Sequence, residues 1–190
     1  MGNFRGFIAI DIPSFPKLLE FENEIRNTDS NIRLVEPKNI HITLKFLGDT
    51  SEDNIDKIQE IIKESVREIK PFAIKFSDTG AFPNQNYIKI IWIGIQNAEL
   101  IKKIAYSIDE KLIKLGFEKE KRSFSAHLTI GRVKTAKNKE KLVQILNKYQ
   151  NTDFFTHNVE SIKLKKSERT PKGPIYCGEK KIIKKVDIPI

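Results

Sequence analysis

The stretches "HITLKFLG" at residues 41–48 and "HLTIGRVK" at 127–134 decide the reading of this chain. In each, a histidine is followed by an apolar residue, a threonine and a second apolar residue, and only one other histidine, His157, occurs. With nine threonines in 190 residues, two given histidines would both carry Thr two places on by chance only about 1 time in 400. Side chains two apart on a strand share a face. His41 and Thr43 should therefore project together, as should His127 and Thr129. Ile42, Leu44, Leu128 and Ile130 then turn the other way, into a core.

Outward from the motifs, the chain writes one order of elements twice: strand, helix, extended approach, His-x-Thr strand, helix, strand. "GFIAIDI" (6–12) reads as a buried strand ended by Pro13, and Ser14 opens a helix with Leu18, Leu19 and Ile25 inside. "IRLVEP" (32–37) is a short extended piece before the first motif. "TSED" (50–53) has the look of a capping box, followed at helical spacing by Ile55, Ile58, Ile62, Val66 and Ile69, and then by the strand "FAIKF" (72–76). The second half opens with the strand "YIKIIWIGI" (87–95), in which Trp92 reads as core. Asn97 caps a helix carrying Leu100, Ile101, Ile104, Ile108, Leu112 and Leu115, and Gly116 stops it. After the second motif come a helix marked by Leu142, Ile145, Leu146 and Tyr149, a strand "FTHNVESIKL" (155–164), and a last strand around "GPIYCGEKKIIKK". This duplicated order predicts an α+β fold with two lobes related by an approximate two-fold axis. No low-complexity linker separates them, so a single domain over 1–190 is expected. If the axis brings the motif strands together, two imidazoles and two hydroxyls face one cleft.

Composition narrows the partners. The net charge of +9 and pI near 9.5 favour polyanions such as nucleic acid. The basic runs 118–122, 134–141, 163–169 and 179–185 all fall in the later part of the chain. Each alone reads as a solvated face, but their clustering around the second motif suggests an anion-binding surface. The apolar stretch around Ile90–Ile95 is far too short to span a bilayer, and the N-terminus resembles neither a secretory signal nor a myristoylation signal. One cysteine, Cys177, excludes an internal disulfide framework and a multi-cysteine metal site. A cytoplasmic monomer that keeps away from membranes is the expectation.

The paired motifs suit a phosphodiester. Near neutral pH one histidine can serve as base and the other as acid, and threonine hydroxyls can donate to non-bridging phosphate oxygens. No metal or other cofactor is required. Zinc is disfavoured because no HExxH, HxH or Cys/His cluster supplies further ligands. Phosphate-binding glycine loops are missing, which argues against a kinase or a dinucleotide enzyme, and a Ser-His-Asp hydrolase would not need duplicated threonines. Two core histidines satisfied by neighbouring threonines remain the structural alternative, and His157 has no comparable setting.

These residues resemble the 2H phosphoesterase superfamily, defined by two H-x-[ST]-x motifs, and within it the RNA 2′,3′-cyclic phosphodiesterases, also named 2′-5′ RNA ligases. "RGFIAIDIP", "VEPKNIHITLKFLGD", "FPNQNYIKIIWIGI", "FSAHLTIGRVK" and "SERTPKGPIY" carry the likeness in order. The resemblance implies a bilobal fold of two antiparallel sheets with helices outside and a central cleft. It also implies metal-independent hydrolysis of RNA 2′,3′-cyclic phosphate ends to 2′-phosphates. By position, His41 would be the general acid, His127 the general base, and Thr43 and Thr129 the phosphate ligands. The expected partner is RNA with such an end, tRNA halves included. Reversible 2′-5′ ligation of tRNA halves uses the same groups, and a non-catalytic RNA- or nucleotide-binding module is the alternative of another class.

Phe46 and Arg132 hold the same place in the two motifs, five residues after the histidine. In regular strands that odd offset would put both on the face opposite the histidines, unless the strands twist or bulge. In similar family proteins this region lies beside the terminal nucleotide, so Phe46 and Arg132 are expected to flank its base. The alternatives are a core aromatic and a surface charge.

Overall fold

Runs of isoleucine, phenylalanine and valine become strands here, and segments with apolar residues three and four apart become helices. The computed structural model describes residues 2–135, 137–170, 173–175 and 182–190. In chain order the elements are β1 (Asn3–Asp11), α1 (Pro16–Asn27), β2 (Ile32–Leu34), β3 (His41–Ser51), α2 (Ile55–Val66), β4 (Phe72–Asn84) and β5 (Tyr87–Gln96). There follow α3 (Glu99–Leu112), β6 (His127–Val133), α4 (Lys139–Lys148), β7 (Asp153–Val159), β8 (Ser161–Thr170), β9 (Gly173–Ile175) and β10 (Ile182–Asp187).

Two antiparallel sheets result. The first runs β10-β8-β1-β3, with β9 paired to β8, and the second runs β2-β6-β5-β4-β7. Helices α2 and α3 pack on the first sheet, α1 and α4 on the second. One apolar cluster runs through both layers, with Ile8, Ile42, Ile58 and Ile104 in one lobe and Phe21, Ile91, Leu128 and Leu146 in the other. Full burial of such side chains contributes about 1.5–3 kcal/mol each. This packing, rather than end chemistry, holds the helices, because none of the four has a side-chain cap at its N-terminus. The α+β class, the antiparallel sheets and the outer helices agree with the expectation.

The lobes do not follow the halves of the sequence. β2 and β4, from the first half, belong to the second sheet, while β8, β9 and β10 complete the first. The first helix of each half also crosses over: α1 leaves β1 for the second sheet, and α3 leaves β5 for the first. Exchange of this kind couples the lobes through the backbone itself.

Several local expectations need correction. Ser14 does not cap α1, which starts at Pro16 behind Phe15. Proline there has no N–H that needs a cap. Leu19 is 46% exposed, and Phe21 takes the inward position. Asn97 has φ of 57° and turns the chain ahead of α3, whose N-cap is Ala98, and Leu100 is also exposed. "FTHNVESIKL" is two strands, because β7 ends at Val159 in one sheet and β8 starts at Ser161 in the other. The strand expected around 173–185 comprises β9 and β10, and residues 176–181, with Cys177, lie outside the described residues. Gly116 does end its helical segment in the left-handed conformation, with φ of 83°. Ser51 accepts from the Asp53 backbone N–H, capping the short turn ahead of α2. Among the described residues no helix is long and apolar enough to cross a membrane.

Candidate active site

The two motif strands lie in different sheets, and a short segment joins them. β2 pairs with β6, and just beyond it the Val35 N–H donates to the Ile130 carbonyl at 2.7 Å. A 3₁₀ turn, Pro37–Asn39, then delivers the chain to His41 at the start of β3. The first motif strand is thus anchored to the second six residues before its histidine.

Both histidines are held the same way. His41 Nδ1 lies 2.6 Å from the Asn39 carbonyl, and His127 Nδ1 lies 2.8 Å from the Ser125 carbonyl. A carbonyl only accepts, so each Nδ1 carries the hydrogen and Nε2 becomes the nitrogen that gains or loses a proton. Each imidazole also packs on a phenylalanine: Phe7 at 5.1 Å from His41, and Phe82 edge-on at 5.0 Å from His127.

Strand register settles which residues accompany them. Across β1–β3, Asp11 faces His41, Ala9 faces Thr43, and Phe7 faces Phe46. Residues 7, 9 and 11 alternate along a strand that runs in continuous register with β8, so all three share a face. Leu44 has no partner in this register, a β-bulge that reverses the alternation after Thr43. The second motif repeats the device. Gly94 faces His127, Trp92 faces Thr129, and Ile90 faces Arg132, while Ile130 drops out of register. Phe46 and Arg132 therefore stand on the histidine faces of their sheets despite the odd offset. Phe46 is 57% exposed, which removes the core reading, and Arg132 is exposed as well.

Charge on these faces is organised around Asp11. Lys163 and Lys165, both on the same face of β8, donate to Asp11 at 2.8 and 2.5 Å. Burial alone would push the Asp11 carboxyl up, but the two lysine hydrogen bonds outweigh it and hold the group below its usual range. Two cations on one carboxylate leave surplus positive charge beside His41. Burial, then the charges of Lys165 and Arg132, hold His41 below its ordinary pKa against the opposing pull of the Asn39 carbonyl and Asp11. His127 is also lowered, by burial first and by Arg132, against the Ser125 carbonyl. Strands β3 and β6 also lie in contact across the two sheets, which brings the motif strands beside one another, and the Arg132 charge lowers both imidazoles.

The second sheet adds aromatic walls. Trp92 lies on the cleft face opposite Thr129, not in the core, with Phe82 at 5.4 Å. Its buried Nε1–H has no acceptor among the described residues, which costs about 1–3 kcal/mol unless water or a ligand accepts. Arg33 of β2 stands directly opposite Arg132. His157 sits on β7 across from Ile74, apart from this cluster. Among the described residues, no group of three or more His, Cys, Asp or Glu side chains is placed to hold a metal ion.

All six sequence-expected residues, His41, Thr43, Phe46, His127, Thr129 and Arg132, therefore lie on the histidine-bearing faces of their two sheets. Sequence reading missed Asp11, Lys163, Lys165, Phe7, Phe82 and Trp92. The one available signal was the basic run at 163–169, whose lysines 163 and 165 alternate as same-face strand residues.

The description "LigT like Phosphoesterase" fits the chain twice, over residues 10–92 and 93–176, each copy holding one His-x-Thr motif. The Methanocaldococcus jannaschii protein named RNA 2′,3′-cyclic phosphodiesterase is 47% identical over 174 residues, covering 90% of this chain and 96% of that one. The protein of that name from Methanothermobacter thermautotrophicus is 36% identical, covering 90% and 94%. The crystal structure of a Thermus thermophilus protein superposes with a TM-score of 0.79 at 23% identity, covering 97% of both chains. E. coli LigT complexed with 3′-AMP gives 0.69 at 20%, covering 98% and 99%. These structural likenesses speak for the fold.

Proposed function

Because the chain belongs to the LigT-like phosphoesterase family, we propose that it hydrolyses RNA 2′,3′-cyclic phosphodiester ends to 2′-phosphomonoesters by general acid–base catalysis. The observation that carries this reading is the matched pair of His-x-Thr faces on β3 and β6, two strands of different sheets that lie in contact. The names of the archaeal relatives support the substrate. In the proposed reaction His127 Nε2 takes a proton from water as its oxygen attacks phosphorus. The bond from phosphorus to the 3′-oxygen breaks, and the His41 imidazolium gives its proton to that oxygen. The product carries a 2′-phosphate and a 3′-hydroxyl. Thr43 and Thr129 hold the non-bridging oxygens, Arg132 offsets the charge that builds on them, and Phe46 and Arg132 flank the terminal base.

Lowered histidine pKa values suit the base, which must be neutral, more than the acid. The substrate phosphate redresses this, since its negative charge favours an imidazolium beside it. The whole chain is read as one domain that works as a cytoplasmic monomer on RNA, tRNA halves among its substrates, in keeping with the net charge of +9. The test is turnover of a short RNA ending in 2′,3′-cyclic phosphate by the native protein, His41→Ala and His127→Ala. Loss of turnover in both variants is expected. Tight binding without turnover by the native protein would instead establish a binding module.

A further inference from the structure

β3 is the last strand of its sheet. Beyond His41, its second half borders a groove, whose other wall is the segment from Leu115 to Arg122 that follows α3 and leads to His127. The cavity between them measures about 800 Å³, large for the roughly 300–1,000 Å³ typical of ligand sites. Its lining runs from Phe46 past Ser51 and Asn54 to Phe117, Lys121 and Arg122.

Four features bear on the occupant. Phe46 belongs both to the histidine face and to this groove, so a chain leaving the phosphate site in this direction passes over its ring. Lys121 and Arg122 are exposed and make no ion pair among the described residues, whereas Lys45 is bound to Asp109 and Lys119 to Glu110. Gly48 and Gly116, with φ of 68° and 83°, have open space where a Cβ would stand, which keeps side chains off both walls at these points. The carboxylates of Asp49 and Glu118 also line the groove and can accept from base amino groups. Aromatic rings, uncommitted cations and scattered hydrogen-bonding groups are what single-stranded RNA requires.

We propose, resting on the cyclic-phosphate reading above, that this groove holds the one or two nucleotides on the 5′ side of the cyclic end. Beyond the terminal base flanked by Phe46, the next base stacks on Phe117, and the backbone phosphates meet Lys121 and Arg122. The site thereby favours a single-stranded RNA tail over a mononucleotide.

The test uses the full chain and the double variant Lys121→Glu/Arg122→Glu. Its substrates are a nucleoside 2′,3′-cyclic monophosphate and a single-stranded trinucleotide ending in 2′,3′-cyclic phosphate. The native protein should show a lower KM for the trinucleotide. The double variant should raise that KM by about tenfold or more and leave kcat/KM for the mononucleotide unchanged, which also reports an intact fold. Binding of a labelled trinucleotide ending in 2′-phosphate gives a readout that needs no turnover. The variant should flatten its salt dependence by about 1.4 in slope, about 0.7 for each lost phosphate contact on a single strand. Equal KM values for the two substrates in the native protein, or equal effects of the variant on both, would overturn the groove. Should the native protein turn over neither substrate, the catalytic reading fails, and the binding measurement still decides whether the groove takes RNA.

Discussion

Leu44 and Ile130 occupy matching positions, each directly after its motif threonine and each without a partner in its strand register. A bulge at this point in both strands turns the residue three places after the threonine back onto the histidine face. The strands are alike as far as the bulge and then differ, Phe46 in one and Arg132 in the other. A cyclic phosphate tolerates approximate two-fold surroundings, but the attached nucleoside does not.

Phe46→Ala should therefore raise KM for nucleotide substrates by about fivefold or more, the equivalent of about 1 kcal/mol of lost stacking, with kcat little changed. Arg132→Ala should lower kcat/KM by roughly 10- to 100-fold, as expected for a charged hydrogen bond worth about 1.5–3 kcal/mol. Steady-state kinetics on one nucleoside 2′,3′-cyclic monophosphate separates the two. An unchanged KM in Phe46→Ala would remove the stacking role.

The pH profile follows from the lowered histidines. In the free enzyme the base must be neutral and the acid protonated. With both pKa values below the ordinary 6.5, the bell of kcat/KM should centre on the acid side of that value. The bell of kcat should lie higher, because bound phosphate stabilises imidazolium. Removing Arg132 should move both limbs up, since its charge lowers both groups.

Asp11 and Lys165 pull His41 in opposite directions. Asp11→Asn should lower the His41 pKa further, and Lys165→Met should raise it, as read by NMR titration of the ring in a His127→Ala background. Shifts of the same sign in the two variants would show that they act by disturbing the fold.

Much of this was legible in advance, for reasons that differ by residue. His41 with Thr43 and His127 with Thr129 could be placed because period-two alternation is a property of the chain alone. Gly116 was legible because a left-handed helix end selects glycine. The bulges were not, since register belongs to a strand pair and Leu44 looks like any apolar strand residue. Asp11 and its lysines are far apart in sequence, and charge runs of their kind usually face solvent. β2 has three residues, too few for periodicity to reveal that it joins the other sheet. Trp92 was misread because apolar strands do not announce which face lines a cleft.

A buried pair gives a stability prediction away from the chemistry. Lys45, with its side chain 3% exposed, bonds Asp109 of α3 at 2.6 Å. Asp109→Ala leaves an ammonium there with only the Glu118 carbonyl and Glu120 as partners among the described residues, and should cost about 3–5 kcal/mol in urea unfolding. The double variant Lys45→Met/Asp109→Leu should recover most of that loss.

The decisive measurement is the position of phosphate in the product. The native protein, with EDTA present, is incubated with each of the four nucleoside 2′,3′-cyclic monophosphates and the products are followed by ³¹P NMR. Accumulation of the nucleoside 2′-phosphate at a rate insensitive to EDTA is the predicted result. A 3′-phosphate product, abolition by EDTA, or the absence of hydrolysis with all four would contradict it.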